Sequence, residues 1–184
     1  MLDSLKRFLK YIEMPILSNN KYEIHLKDTN ALTKKNYCFK ITNVPENTLV
    51  IRADKFPNMK HFFKDDEDIG LCKKSDYIII SIDKHSNYKV LIVEISSGDN
   101  KSNIFIRQQL KGATCILKYY ESICKYFFNK TVKFNNIHYA GILLIGSPKK
   151  QKIDFERNSR NNTSPDNYFK ISSGEECPYT KLVH

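Results

Sequence analysis

Residues 72–98 read CKKSDYIIISIDKHSNYKVLIVEISSG and contain two strongly apolar runs, Tyr77–Ile82 and 90–95. The polar segment 83–87 between them is rich in residues that favour turns. Strands that are apolar on both faces belong in the middle of a sheet. The stretch therefore predicts two central strands, and the rest of the chain is interpreted around them.

A carboxylate accompanies each of these strands. Asp76 stands at the head of the first, and Glu94 lies inside the second. Because side chains alternate along a strand, Glu94 and Ser96 share one face. If the strands are neighbours, Asp76 and Glu94 converge at one end of the sheet and, with a strand carbonyl and waters, bind a divalent cation. The alternative is that Asp76 caps a loop and Glu94 pairs with a lysine or lies at an exposed strand end.

Helical periodicity follows the second strand. Apolar residues recur at spacings of three and four over Asn103–Phe128, which predicts a long helix packed against the sheet. Elsewhere the pattern predicts one short amphipathic helix at 2–13 and strands at 22–26, 37–43, Thr48–Arg52 and 139–145. Residues 149–184 are a polar loop and tail. We therefore predict one α/β (α+β) domain over 1–184, with a mixed central sheet.

The composition indicates a globular protein that attracts polyanions. The formal charge is +10 at pH 7, from 30 Lys and Arg against 20 Asp and Glu. Nucleic acid and an anionic membrane are the partners that such a charge favours, although a biased genome also produces lysine-rich chains. No apolar run approaches the roughly 20 residues of a membrane span. The five cysteines form no C-x-x-C pair, so we expect reduced thiols, a cytoplasmic location and no membrane partner.

The order of these elements resembles that of the PD-(D/E)xK nucleases. The segments that carry the resemblance are CKKSDYIIIS, VLIVEISSG and a helix opening with RQQLKGA, within about residues 70–146. The resemblance implies a restriction-endonuclease-like core with a central mixed sheet flanked by helices. It also implies that Asp76 and Glu94 bind Mg²⁺ or Mn²⁺, with the carbonyl of Ile95 as a third ligand.

One position departs from the family pattern. Family members carry a lysine two residues after the glutamate, where this chain has Ser96. A serine supplies no positive charge near a phosphate. Lys89, Lys101 and Lys111 are the nearest candidates to replace that charge, and Lys101 lies in the loop directly after the motif.

The resemblance implies two further site residues. Gln108 or Gln109 matches a glutamine that many members carry on the helix after the motif, although a glutamine in the first turns of a helix is often only solvated. Glu13 matches an additional acidic residue from an N-terminal helix, although it also suits the end of that helix. The predicted catalytic set is therefore Asp76, Glu94, Ser96, Lys101 and Gln109.

The function predicted from the sequence is a metal-dependent endonuclease that hydrolyses phosphodiester bonds in DNA, in restriction, antiviral defence or a mobile element. Lys73, Lys74 and Lys111 are expected to bind phosphates, and Phe62 and Phe63 either stack on bases or belong to the core. A catalytically inactive nuclease-like module, which binds nucleic acid or a protein partner, is the alternative. A purely structural interaction domain is a third hypothesis, and homodimerisation is left open.

Overall fold

Two mixed β-sheets and one long helix account for most of the described chain. The computed structural model describes residues 6, 10–27, 38–57, 59–61, 63–64, 69–97, 102–144, 161–172 and 176–183. The strands are β1 (Ile12–Glu13), β2 (Ile16–Ser18), β3 (Lys21–Lys27), β4 (Cys38–Val44), β5 (Thr48–Arg52), β6 (Tyr77–Ile82), β7 (Tyr88–Ser97), β8 (Asn136–Leu144), β9 (Phe169–Ser172) and β10 (Glu176–Pro178). The helices are α1 (Asn103–Phe128) and α2 (Tyr179–Leu182), with 3-10 turns at Ala53–Lys55 and Met59–His61.

The first sheet has six strands in the order β1-β5-β6-β7-β8-β9. Its pairs are antiparallel as far as β7, and β7-β8 and β8-β9 are parallel. The two apolar runs of the sequence are its central neighbours β6 and β7, as predicted. The mixed α/β class is therefore confirmed, with a sheet that contains both kinds of pairing.

The second sheet has four strands in the order β10-β4-β3-β2. It contains the predicted strands 22–26 and 37–43, which pair antiparallel as β3 and β4. The segment 45–47 between β4 and β5 does not close a hairpin, because the two strands belong to different sheets. This segment carries the chain from one sheet to the other.

The central strands β6 and β7 are covered on both faces. Ile79 and Leu91 face a core that lies between the two sheets. Ile78, Ile80 and Ile92 face a second core, which α1 closes. The period of two along each strand thus produces three layers, with α1, the six-stranded sheet and the four-stranded sheet in that order.

The long helix α1 has the bounds that its periodicity predicts. The Ser102 hydroxyl accepts a hydrogen bond from the Phe105 amide at 3.2 Å and caps the first turn. Asn129 ends the helix in the left-handed conformation, with φ of 50°. No helix in the described part of the chain is long and apolar enough to cross a membrane.

The predicted helix at 2–13 is wrong at its last two residues. Ile12–Glu13 is a short strand that pairs with Ile51 and Val50 at the edge of the sheet. Helical spacing of apolar residues did not reveal that this segment completes a ladder with β5. Residues 1–5 and 7–9, which make up most of the predicted helix, lie outside the described residues.

The polar tail contains elements that the sequence did not predict. Phe169–Ser172 extends the first sheet beside β8, and Glu176–Pro178 pairs with β4. The predicted strand at 139–145 begins three residues earlier, at Asn136, and its last residue lies outside the described chain. Cys177, Tyr179 and Leu182 from this tail are buried in the core between the sheets.

Gly112 provides a test of how closely α1 approaches the segment before β6. A Cβ atom built at Gly112 would lie 1.8 Å from the carbonyl oxygen of Lys73. An exposed Gly→Ala change in a helix stabilises a protein by about 1 kcal/mol. We expect Gly112→Ala to lower the free energy of unfolding by about 1–3 kcal/mol instead, because the backbone must move. Urea denaturation measures it, with Ser122→Ala on the exposed face as the control, and a stabilised Gly112→Ala protein would contradict the packing.

Candidate active site

Asp76 links the ends of three strands. Its carbonyl accepts hydrogen bonds from the amides of Ala53 at 2.9 Å and Asp54 at 3.4 Å, directly after β5. Its carboxylate atom Oδ2 accepts a hydrogen bond from the amide of Ile95 in β7 at 2.8 Å. The side chain is therefore held against the inner strand β7 of the six-stranded sheet and does not simply cap a loop.

The strand register brings Asp76 and Glu94 together. Tyr77 pairs with Val93 in the antiparallel ladder, so the next position places Asp76 opposite Glu94. Directly opposite residues in such a ladder point to the same face, with Cβ atoms about 4.5–5.5 Å apart. The two positions that the sequence singled out are thus adjacent across β6 and β7.

Glu94 lies on the face of the sheet that α1 covers. It is 1% exposed and pairs with Gly141 of β8. A Cβ atom at Gly141 would lie 2.7 Å from the Tyr168 ring and 3.4 Å from Ile106 Cγ2. The glycine thus lets Tyr168 and Ile106 close over this row, and the Glu94 carboxylate sits in a protein-lined environment where electrostatic interactions are strong.

The position of the family lysine is buried. Ser96 is 2% exposed and follows Glu94 on the same face. Lys89 lies five residues before Glu94 on β7, which is about 17 Å along the strand, so it is far from the carboxylates. Lys111 is exposed on α1 and its ammonium lies 3.1 Å from the Asp166 carboxylate. Lys101 lies outside the described residues.

The two glutamines of α1 contact the segment that leads into Asp76. Gln109 Nε2 donates a hydrogen bond to the Lys74 carbonyl at 3.2 Å. Gln108 is buried, and its side chain packs on Gly70, which has a φ of 72°. Neither residue is simply solvated. Together they tie the first turns of α1 to residues 70–74.

Arg107 is a residue of this region that the sequence analysis missed. Its Nε is buried and, within the described residues, has no hydrogen-bond acceptor. Burial raises the pKa of Tyr168, and the positive charge of Arg107 opposes that rise. The Tyr168 hydroxyl donates a hydrogen bond to Asn103 Oδ1 at 2.8 Å, one turn before Arg107 on α1. Because the Tyr168 ring covers Gly141 beside Glu94, Arg107 lies on the part of α1 that meets the candidate site. The signal was present in the sequence, because Arg107 opens the RQQ segment that carries the resemblance.

The lysines expected to bind phosphate differ in their surroundings. The Lys74 ammonium donates to the carbonyls of Phe56 and Pro57, and burial lowers its pKa. The Lys73 ammonium lies 4.8 Å from the centroid of the Phe105 ring near the start of α1, and both residues are partly exposed. Lys73 is therefore better placed to meet a polyanion than Lys74.

Glu13 lies on the other side of the sheet. It pairs with Val50, whose side chain belongs to the core between the sheets. Its Oε1 lies 3.4 Å from Nη1 of Arg52 and lines a cavity of about 220 Å³ between the two sheets. The structure therefore does not bring Glu13 to Asp76 and Glu94.

The donor chemistry at Asp76 and Glu94 suits a hard cation. Mg²⁺ and Mn²⁺ prefer carboxylate, carbonyl and water oxygens, and one or two carboxylates suffice for Mg²⁺. A carboxylate has about four lone-pair sites, so the bond from the Ile95 amide to Asp76 is compatible with ligation. Among the described residues, no group of three or more His, Cys, Asp or Glu side chains is arranged to hold a metal.

Comparison with known proteins found no relative of this chain. No family model, no curated protein and no solved structure matches the chain. The function of the site is therefore inferred from its geometry and from the resemblance of its short motifs.

The bond between Asp76 and Ile95 predicts different stabilities for two substitutions. Asp76→Ala leaves the buried Ile95 amide without its acceptor, which costs about 1–3 kcal/mol. Asp76→Asn keeps an oxygen at the same position, so we expect a smaller loss. Urea denaturation of both variants beside the wild type measures the difference. Equal stabilities for the two variants would show that Asp76 does not hold this strand.

Proposed function

We propose that this protein is a metal-dependent endonuclease that hydrolyses phosphodiester bonds in DNA. The observation that carries the proposal is the hydrogen bond from the Ile95 amide to Asp76, which holds Asp76 beside Glu94 at the centre of the sheet. The resemblance of the surrounding motifs to PD-(D/E)xK nucleases, and with it a restriction-endonuclease-like core, supports the same conclusion.

Asp76, Glu94 and the carbonyl of Ile95 would hold Mg²⁺ or Mn²⁺. Such an ion supplies two needs of the reaction, because it polarises a phosphate oxygen and lowers the pKa of an attacking water. The residues of the chain orient that centre. Asp76 is held by its hydrogen bond to β7, and Glu94 is 1% exposed in the row of the sheet where Ile106 and Tyr168 approach Gly141.

Ser96 stands at the position of the family lysine, so another residue must supply the positive charge. We propose Arg107 or Lys101 for this role. A guanidinium presents several donors in a plane and binds phosphate oxygens in pairs. Arg107 supports this role through its buried Nε and its position beside Tyr168. Lys101 follows the last residue of β7 by four positions in the sequence.

Two features favour a second candidate function. Ser96 carries no charge, and Glu94 is 1% exposed, so a substrate phosphate reaches Glu94 only if its cover opens. A catalytically inactive nuclease-like module, which binds nucleic acid or a protein partner, is compatible with both features. Restriction, antiviral defence and mobile elements are contexts in which we place either function.

The first experiment compares cleavage of plasmid, single-stranded DNA and RNA with Mg²⁺ or Mn²⁺ by the wild type and Glu94→Gln. We expect DNA cleavage that falls at least a hundredfold in the variant, because a neutral amide binds the cation poorly. Glu176→Gln, at an exposed position of β10 in the other sheet, is the matched control and should cut normally. Cleavage that persists in Glu94→Gln would show that the Asp76 and Glu94 site does not catalyse the reaction. Absence of cleavage, with folded protein that binds DNA, favours the inactive module.

A second experiment separates the two candidate cations. Removal of the group that stabilises the phosphate should lower kcat by about 10²–10³-fold and leave the metal requirement unchanged. Arg107→Ala and Lys101→Ala are compared, with Arg107→Lys as the conservative variant. If Arg107 is the group, Arg107→Lys recovers part of the activity. Full activity in both alanine variants would contradict the proposed role of either residue.

A further inference from the structure

The C-terminal half of α1 presents large aromatic side chains to solvent. Tyr126 and Phe127 are 75% and 79% exposed, and Tyr119 is 65% exposed. The opposite face of the same helix packs in the core through Leu117 and Tyr120. These rings therefore do not belong to the packing of the described chain.

Helix geometry aligns part of this surface. Tyr119 and Tyr126 are seven residues apart, which is about two turns and roughly 10.5 Å along the helix axis. Cys115, one turn before Tyr119, is exposed on the same line. Phe127 lies on the flank. We call Tyr119, Tyr126 and Phe127 the aromatic face of α1.

The charges beside the aromatic face are almost all positive. Between residues 115 and 134 the one acidic side chain is Glu121, which accepts hydrogen bonds from the Lys118 ammonium at 2.9 Å and the Phe134 amide at 2.6 Å. The cations of this segment are Lys118, Lys125, Lys130 and Lys133, and all four are exposed. The Lys125 ammonium lies 5.2 Å from the centroid of the Tyr126 ring.

We propose that the aromatic face of α1 binds single-stranded nucleic acid. Exposed rings among lysines are the elements of such a surface, because bases stack on the rings and lysines meet the phosphates. The proposal goes beyond hydrolysis at Asp76 and Glu94 and needs no metal. Tyr126 lies seventeen residues beyond Gln109, about 26 Å along the helix, so this surface is separate from the candidate active site.

Charge favours a polyanion over a second copy of the chain. In a two-fold dimer the same patch meets itself, so contact through this face would bring the lysines of one copy close to those of the other. The whole chain also carries a formal charge of +10. A nucleic acid strand satisfies both the rings and the lysines.

Fluorescence anisotropy with labelled oligothymidylate tests the proposal, in EDTA so that the result is independent of any metal. The oligonucleotide exceeds the roughly 4–16 nucleotides that such a surface occupies. We expect the double substitution Tyr119→Ala/Tyr126→Ala to weaken binding at least about tenfold, because it removes two rings on which bases stack. Tyr119→Phe/Tyr126→Phe keeps both rings and should bind like the wild type. Ile104→Ala, at the exposed start of the same helix, is the control.

Cysteine alkylation locates the bound strand in the same molecule. Cys115 lies on the line of the aromatic face, whereas Cys38 is exposed in the four-stranded sheet, on the far side of the molecule from α1. Oligothymidylate should slow alkylation of Cys115 and leave the rate at Cys38 unchanged. Equal rates at Cys115 with and without the oligonucleotide would place the strand elsewhere.

The remaining outcomes overturn the proposal in different ways. Wild-type affinity in the double alanine variant would mean that the rings do not contact the strand. Binding to phosphatidylserine vesicles but not to oligothymidylate would identify a lipid surface, and a dimer that the alanine changes dissociate would identify a second copy. The binding assay contains EDTA and needs no cleavage, so a failed nuclease assay and a failed binding assay are distinguishable.

Discussion

The burial of β6 and β7 on both faces is the constraint on which the rest of the structure depends. Alternate residues such as Ile78 and Ile79 face α1 on one side and the four-stranded sheet on the other. A polar side chain in these strands is therefore surrounded by protein, and it must find its partners there. Glu94 is such a side chain, and Asp76 enters the same region through its bond to the Ile95 amide.

The elements that follow a regular hydrophobic period could be predicted from the sequence. The bounds of β5, β6 and α1 match the predicted ones, because each buries a continuous face and the period of two or 3.6 is visible in the residues. The strands β1 and β9 could not be predicted. They have two and four residues, and what makes them strands is pairing with β5 and β8, distant in sequence.

The candidate site could be predicted in part, because the strands that carry it follow a visible hydrophobic period. The order of the motifs was enough to expect Asp76 near Glu94. The burial of Gln108 and the surroundings of Arg107 depend on how closely α1 approaches residues 70–74 and 168. Those approaches are set by Gly70, Gly112 and Gly141, whose missing side chains admit Gln108, Lys73 and Tyr168. A glycine in a sequence does not reveal which distant segment will contact it.

The burial of Ser96 explains why a cation at this site must come from another element. A lysine at a position that is 2% exposed would have to keep its ammonium out of water or extend it toward the carboxylates. Serine removes that cost and allows α1 and Tyr168 to close over the strand. Under the proposed function, the positive charge comes from Arg107 on α1 or from Lys101, four residues after β7 in the sequence. If Arg107 is that cation, its position relative to Asp76 and Glu94 depends on how α1 packs on residues 70–74, so this helix contact would also control the chemistry of the site.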